Sequence, residues 1–437
     1  MEKVIHYFLY KIKSQKYVIN KYGIFFFIIN KIEVLLIKHI PNLAFIILLF
    51  PAALIIRFIS HLYLIRFQPI ISFRLGHYVA EMELYLCEKK FRINTPKGKY
   101  IDFFFNTYEG SCNTYFDKLL KKKINLIPYR IGNSFFLLNK LFNFFLLKKK
   151  NIFEVGRPTC CDRDVNNLFN KSKVNIEISK NDIEKGYKFL ESLGIKKGSK
   201  FVCVAFRDKS FLEKKFPKAD YRYHDYRNAN INNFVKSAKY LVSKGYYVFR
   251  MGREVEKKIN FNHPKMIDYA TSNFQSDFLD AFLSHECHFY VSTGFGAEAF
   301  ALIFRKPIIY CSFVHFDIVN TFNNKSITIF KNYILKKKKL SLREIYKKSL
   351  FIVNSNKPKK ANIKLKENTP NEILETIKEM LSSIKKKNKK KMTFKLKNKF
   401  WSIFKILIKK NDLEYLHGKI YGKIGTYFLK KNKHLLR

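Results

Sequence analysis

From Lys200 to Tyr310, short apolar runs alternate with helical patterns at close spacing, and no other feature of the chain narrows its fold as far. Residues 201–206 (FVCVAF), 246–252 (YYVFRMG), 265–270 (KMIDYA), 288–291 and 307–310 read as strands, and 231–244, 277–285 and 297–304 as the helices between them. Continuous apolar strands separated by helices predict a doubly wound parallel sheet with helices on both faces. Upstream, 69–73 (PIISF) reads as a strand that enters Arg74-Leu-Gly-His and a helix over 78–87, the opening of another α/β unit. A connector from Lys150 to Ile195 holds a helix over 182–193 and is interrupted by Gly194 and Gly198. The expected division is therefore 1–67, 68–195, 196–381 and 382–437.

In a parallel sheet ligands gather beyond the carboxyl ends of the strands. Arg207 and Asp208 follow the first strand of the later domain, Arg250 and Gly252 the second, and Asp268 the third. Ser292, Thr293, Gly294 and Gly296 then form a turn into a helix, with two hydroxyls, two permissive glycines and helix amides suited to a diphosphate. A hydroxyl-capped helix without a ligand uses the same residues. Arg207 and Arg250 suit the charge that builds on a diphosphate leaving a sugar, or else pair structurally with Asp208 or Asp268. Glu298 either accepts ribose hydroxyls or caps nearby amides. Arg227 and Asn228 precede a helix and face acceptor or phosphate, or serve the helix start. In the earlier unit, His77 has the intrinsic pKa to take a proton from an acceptor hydroxyl, and Glu81 stands one helical turn on.

Several chemistries lack their signatures. There is no GxxxxGK[ST], no GxGxxG opening either half, no HExxH and no GxSxG. Seven cysteines (Cys87, Cys112, Cys160, Cys161, Cys203, Cys287 and Cys311) form no CxxC pair, which points to reduced thiols and no metal site.

Charge enters next: 84 Lys+Arg against 34 Asp+Glu give a net +50, within a chain that is 47% hydrophobic. A disordered basic tail is excluded, and the partner is anionic or the bias is compositional drift. Residues 43–56 (LAFIILLFPAALII) fall short of the roughly 20 needed to cross a bilayer. An interfacial helix bent at Pro51, with Lys38, Arg57 and Arg66 toward acidic headgroups, fits best; a true span and a buried core helix remain the alternatives. Beyond Leu381 the chain has only Asp412 and Glu414 as acidic residues, and Trp401, Phe404, Ile406 and Leu407 lie among lysines. That segment either rests on acidic lipid or packs on its own domain.

The runs YRNANINNFVKSAKYLVSKGYYVFRMG, MIDYATS, FLSHECHFYVSTGFG and ENTPNEI, with SFRLGHYVAEMELYL upstream, resemble a bacterial glycosyltransferase family associated with surface-polysaccharide biosynthesis clusters. The resemblance covers roughly residues 68–381. It implies two Rossmann-like domains in a GT-B arrangement, an amino-side acceptor domain, and a carboxyl-side domain that binds a nucleotide diphosphate-sugar as donor substrate, with no further cofactor. It also implies metal-independent, inverting transfer to a cell-surface glycan or lipid-linked precursor, at the cytoplasmic face of the bacterial inner membrane or in the cytoplasm. Arg227, Arg250 and Ser292 occupy the family's motif positions. The family turn more often reads Gly-Thr-Asn-Ser-Gly, whereas this chain has Ser292-Thr-Gly-Phe-Gly, so side-chain contacts to the donor differ there. Two other classes compete: a nucleic-acid-binding protein, against which stands the want of any recognition motif, and a noncatalytic membrane scaffold.

Overall fold

Residue 15 and residues 19–108, 110–145, 163–215, 217, 220–351, 362–385 and 392–437 are described by a computed structural model; Cys160, Cys161 and the lysine run at 386–391 lie outside them. The chain divides into two units. One comprises Met1–Arg74, Arg92–Pro158 and Leu212–Arg222, the other Leu75–Phe91, Thr159–Phe211 and Tyr223–Arg437.

The first unit carries three parallel strands, β1 (Leu64–Ile70), β2 (Tyr100–Asn106) and β3 (Asn125–Leu126), in that order. The expected strand at 69–73 thus begins earlier and runs through Arg66, whose charge hides it from an apolar pattern. Arg66 lies opposite Asp102 in the β1–β2 register and holds it by two bonds of 2.6 and 2.8 Å, both side chains buried. It is therefore not a headgroup anchor. A helix over Tyr129–Phe145 covers this sheet: Phe135 stacks on Phe67 at 4.7 Å, and the ring of Phe105 fills the space a side chain at Gly132 would need. Across that helix lies a long apolar one, Ile24–Val34, continued through a π turn at Leu35–His39 into Ile40–Phe58 with Pro51 inside it. Ile46, Leu49 and Ala53 pack there against Phe135, Leu138 and Phe142.

The second unit is built on seven parallel strands: β4 (Phe201–Ala205), β5 (Tyr247–Arg250), β6 (Met266–Ile267), β7 (Phe289–Ser292), β8 (Ile308–Phe313), β9 (Ser326–Phe330) and, after a small antiparallel sheet of β10 (Asn332–Leu335), β11 (Lys338–Lys339) and β12 (Lys364–Lys366), the strand β13 (Lys423–Ile424). Their spatial order is β13-β9-β8-β7-β4-β5-β6. The chain winds outward from β4 to β6, returns to β7 beside β4, and winds the other way, so order reverses between β4 and β7. That is the doubly wound pattern, and the reversal opens a crevice at the carboxyl ends of those two strands.

The strands are legible as runs because they are covered on both faces: every residue of β4, β7, β8 and β9 is buried. Helices over Val235–Ser243, Asp277–Glu286 and Ala299–Ile303 connect them, near the expected bounds. The first is preceded by a 3-10 turn, Ile231–Phe234, because Asn230 caps at Asn232. The helix Pro370–Ile384 starts on a reciprocal Thr369–Glu372 capping box with Pro370 in its first turn, and packs on Val235–Ser243.

The basic carboxyl segment belongs to this unit. In the helix Met392–Lys410, Phe400, Ile403, Phe404, Leu407 and Ile408 are buried, and β13 pairs with β9 as the sheet's last strand. Packing on its own domain is the alternative that holds.

Candidate functional site

The carboxyl ends of β4, β7, β8 and β9 bring polar groups to the crevice. Beyond β4, the Arg207 amide donates to Thr293 Oγ1 at 3.0 Å, tying the two strands that flank the reversal. The Arg207 side chain is 7% exposed and reaches His224 O at 3.1 Å and Asn228 Oδ1. Arg227 donates to Gly294 O at 2.7 Å. Lys331, one residue past β9 and 4% exposed, donates to Tyr226 O at 3.1 Å and to Asn228 O. Burial pushes Arg207 down to about 10, helped by the charge of Arg227, and Lys331 down to about 8, with Arg207 adding to it.

Among the described residues, neither Arg207 nor Lys331 hydrogen-bonds a carboxylate. Arg250 contrasts with them. It is 2% exposed and pairs with Asp268 at 3.2 Å, and Asp268 also accepts from the Ile259 amide at 3.2 Å. Asp208 does not pair with Arg207; it accepts from the amides of Ser210 at 3.0 Å and Glu256 at 2.9 Å, bracing two loops. Gly252 takes φ 145, with Val255 3.0 Å from where a Cβ would stand.

The turn 292–296 is present, but the Ser292 hydroxyl and the Gly294 and Gly296 amides are engaged within it. Ser292 Oγ donates to Glu298 at 2.8 Å and accepts from the Gly294 amide at 3.0 Å, while the Gly296 amide donates to Glu298 at 3.2 Å. The Glu298 carboxylate thus braces the turn and does not cap the following helix, which begins at Ala299 rather than at 297. A side chain at Gly294 would strike the ring of Phe313, and one at Gly76 would fall 2.9 Å from Gly296 Cα. This backbone approach seats the helix Leu75–Lys90 on the turn and puts His77 one residue from the contact. His77 Nδ1 lies 3.0 Å from Glu81 Oε1, its side chain partly exposed.

The sequence reading missed Lys331 and gave no role to Tyr226, His315 or Asp317. His315 follows β8 and meets Tyr226 Oη at 3.3 Å; burial and the charges of Arg227, His224 and Arg207 keep the imidazole neutral. Burial raises Tyr226 to about 12 and Asp317 to about 7. The strand-end rule that singled out Arg207 applies equally to Lys331 after SITIF, but one lysine among so many gives no signal of its own.

Among the described residues no three His, Cys, Asp or Glu side chains converge as metal ligands. The cysteines at 87, 112, 203, 287 and 311 form no disulfide, and burial beside Glu83 raises the Cys87 thiol to about 11.

No family model and no curated protein matches the chain. In structure it is distantly similar to ADP-heptose LPS heptosyltransferase II of E. coli, at 10% identity and TM-score 0.37, over 62% of this chain and 91% of that one. It is likewise similar to a glycosyl transferase family 9 protein from Veillonella parvula, at 10% identity and TM-score 0.34, over 57% of this chain and 79% of that one. Both scores lie below 0.5, so function is read from the side chains.

Proposed function

We propose that this chain transfers a sugar from a nucleotide diphosphate-sugar to a surface glycan or its lipid-linked precursor, with the diphosphate bound beyond β4, β7 and β9. One observation carries the reading: Arg207 and Lys331 are buried cations whose hydrogen bonds go to carbonyl and amide oxygens. Burying a cation whose hydrogen bonds go to neutral oxygens is unfavourable even with Asp208 and Asp225 near Arg207 and Glu367 near Lys331, and an anion entering beside them relieves it. The crevice at a strand-order reversal is where such a ligand sits in this topology.

In this mechanism Arg207, Arg227 and Lys331 stabilise the negative charge that develops on the departing diphosphate. Asn228 orients Arg207, while Arg250, Asp208, Asp268 and Gly252 shape the walls. Thr293, Gly294 and Gly296 contribute backbone form, and the Ser292–Glu298 pair keeps the turn rigid. His77, aligned by Glu81, takes the proton from the acceptor hydroxyl, and direct attack inverts the anomeric centre. We place the reaction at the cytoplasmic face of the bacterial inner membrane.

A thermal-shift panel of UDP-, GDP- and dTDP-sugars tests the donor, with a CMP-sugar, which has a single phosphate, as contrast. Stabilisation by at least one diphosphate donor is expected, lost in Arg207→Ala and Lys331→Met. His77→Asn is expected to keep the shift and lose transfer. Full transfer in both cation variants would falsify the reading.

A further inference from the structure

The long amino helix leaves an apolar surface that the described residues of the first unit do not cover. Ile24–Val34 has no buried residue, and Ile28, Ile32, Leu36, Ile40, Leu43, Ile47, Leu48, Ile55 and Phe58 are all exposed. The surface continues onto a second helix: Leu137, Leu141 and Phe144 of Tyr129–Phe145 are exposed at spacings of four and three, one stripe of that helix. Other stripes of the same helices form the seam of Ile46, Leu49 and Ala53 against Phe135, Leu138 and Phe142. The two helices run side by side in one direction, with Asn42 at Tyr129 near one end and Arg57 at Asn143 near the other, and each leaves its apolar stripe outside that seam.

We propose that this two-helix surface lies in the plane of an anionic lipid bilayer, sunk to the headgroup–acyl boundary, and does not span it. Charge selects lipid over another protein face. Lys31, Lys38, Arg130 and Lys140 stand against Glu33 on these helices, whereas Arg57 turns inward to Asn143 Oδ1 at 2.9 Å and the Phe142 ring and is not a headgroup contact. An excess of basic over acidic residues on broadly apolar helices suits an in-plane helix on anionic lipid.

The run Ile24–His61 is long and apolar enough to cross a membrane by length and composition, and its packing argues against that arrangement. The helical run of 38 residues from Ile24 to His61 extends roughly 57 Å, nearly twice a hydrocarbon core of about 30 Å. More decisively, the seam pins Ile40–Phe58 sidelong to Tyr129–Phe145, and the latter is fixed to the sheet by the Phe67–Phe135 and Phe105–Phe136 ring contacts. The helix cannot pass through a bilayer without drawing β1 and β2 after it. Tyr129–Phe145 has Asn133, Asn139, Lys140 and Asn143 along its length, which a spanning helix would have to bury in hydrocarbon.

The inference goes beyond donor binding, and its failure leaves that reading untouched. Full-length protein is sedimented with vesicles of phosphatidylcholine alone or with phosphatidylglycerol added. Retention is expected on the mixed vesicles, at least tenfold above phosphatidylcholine alone, with release by carbonate at pH 11. Leu137→Glu/Leu141→Glu and Leu48→Glu/Ile55→Glu should each lose most retention while keeping the parent's circular dichroism and melting temperature. Unchanged retention in the Leu137/Leu141 variant overturns the two-helix surface. Retention through carbonate overturns the in-plane arrangement, and indifference to headgroup charge overturns the anionic lipid. A dimer that both variants dissociate, without vesicle binding, assigns the surface to a second copy and overturns the proposal.

Discussion

The helix Ile40–Phe58 and the helix Met392–Lys410 have the same length, 19 residues, and each offers large apolar side chains beside basic ones. Sequence alone makes both candidates for a membrane surface. In the structure they part. Phe400 and Phe404 are fully buried in the second unit, whereas Leu48 and Ile55 of the amino helix are 72% and 62% exposed. The difference does not lie in hydrophobicity, since the exposed helix is the more apolar. It lies in whether the rest of the chain supplies a complementary face. The carboxyl helix finds one in Leu342–Lys347 and Thr426–Lys431, whereas among the described residues the amino helix packs chiefly along the narrow Tyr129–Phe145 seam.

The contrast can be broken at its strongest point first. Phe404→Ala should destabilise the second unit by about 3–5 kcal/mol, the usual cost of emptying an aromatic core site, read as a lowered denaturant midpoint. A change of only a few tenths would return the carboxyl helix to the class of unpartnered surfaces.

Arg207 and Arg250 sharpen the same lesson at the site, because both are buried arginines at strand ends and, among the described residues, only Arg250 is bonded directly to a carboxylate. Arg207→Ala should weaken nucleoside diphosphate binding by about tenfold to a hundredfold, from the loss of charge-assisted bonds worth about 1.5–3 kcal/mol, with little change in melting temperature. Arg250→Ala should chiefly lower stability by leaving Asp268 unpaired. Calorimetry on both variants separates the two outcomes, and equal loss of binding would erase the distinction.

Lys331 sets a pH dependence. Its folded pKa is about 8, below the unfolded value, and a bound diphosphate favours its charged form. Affinity should therefore be constant below pH 8 and fall, by up to about tenfold per pH unit, as pH rises through and above that value. Lys331→Met should bind more weakly and lose that slope.

A smaller effect is expected at Asp317. Its folded pKa of about 7 lies above the unfolded one, so the native state holds the extra proton and stability falls as pH rises toward and through 7. Asp317→Asn should flatten that slope, measured as melting temperature at pH 5 and pH 8. The smallest change is predicted for Leu48→Glu in solution, within about 0.5 kcal/mol of the parent, as for other exposed sites.

The second unit was legible where burial on both faces leaves an unbroken apolar run, as at Val204, Val291 and Ile309, which lie across from one another in the sheet. Legibility failed where a charge is matched by a distant residue. Arg66 reads as a headgroup contact until Asp102 is seen opposite, and nothing local distinguishes Arg250, paired 18 positions away, from Arg207. The turn 292–296 was found for its glycines, yet the chain gave no sign that Glu298 would occupy its amides. β13 is two residues long and shows no periodicity at all.

That last strand has a consequence for synthesis. β9 is complete at Phe330, but its outer edge meets Lys423 and Ile424 only once those residues, about 90 positions later, have left the ribosome. Until then the nascent protein carries an open β-edge, a template for pairing with other chains. A shortened version ending before Lys423 should emerge with that edge bare and be prone to cluster with its own kind.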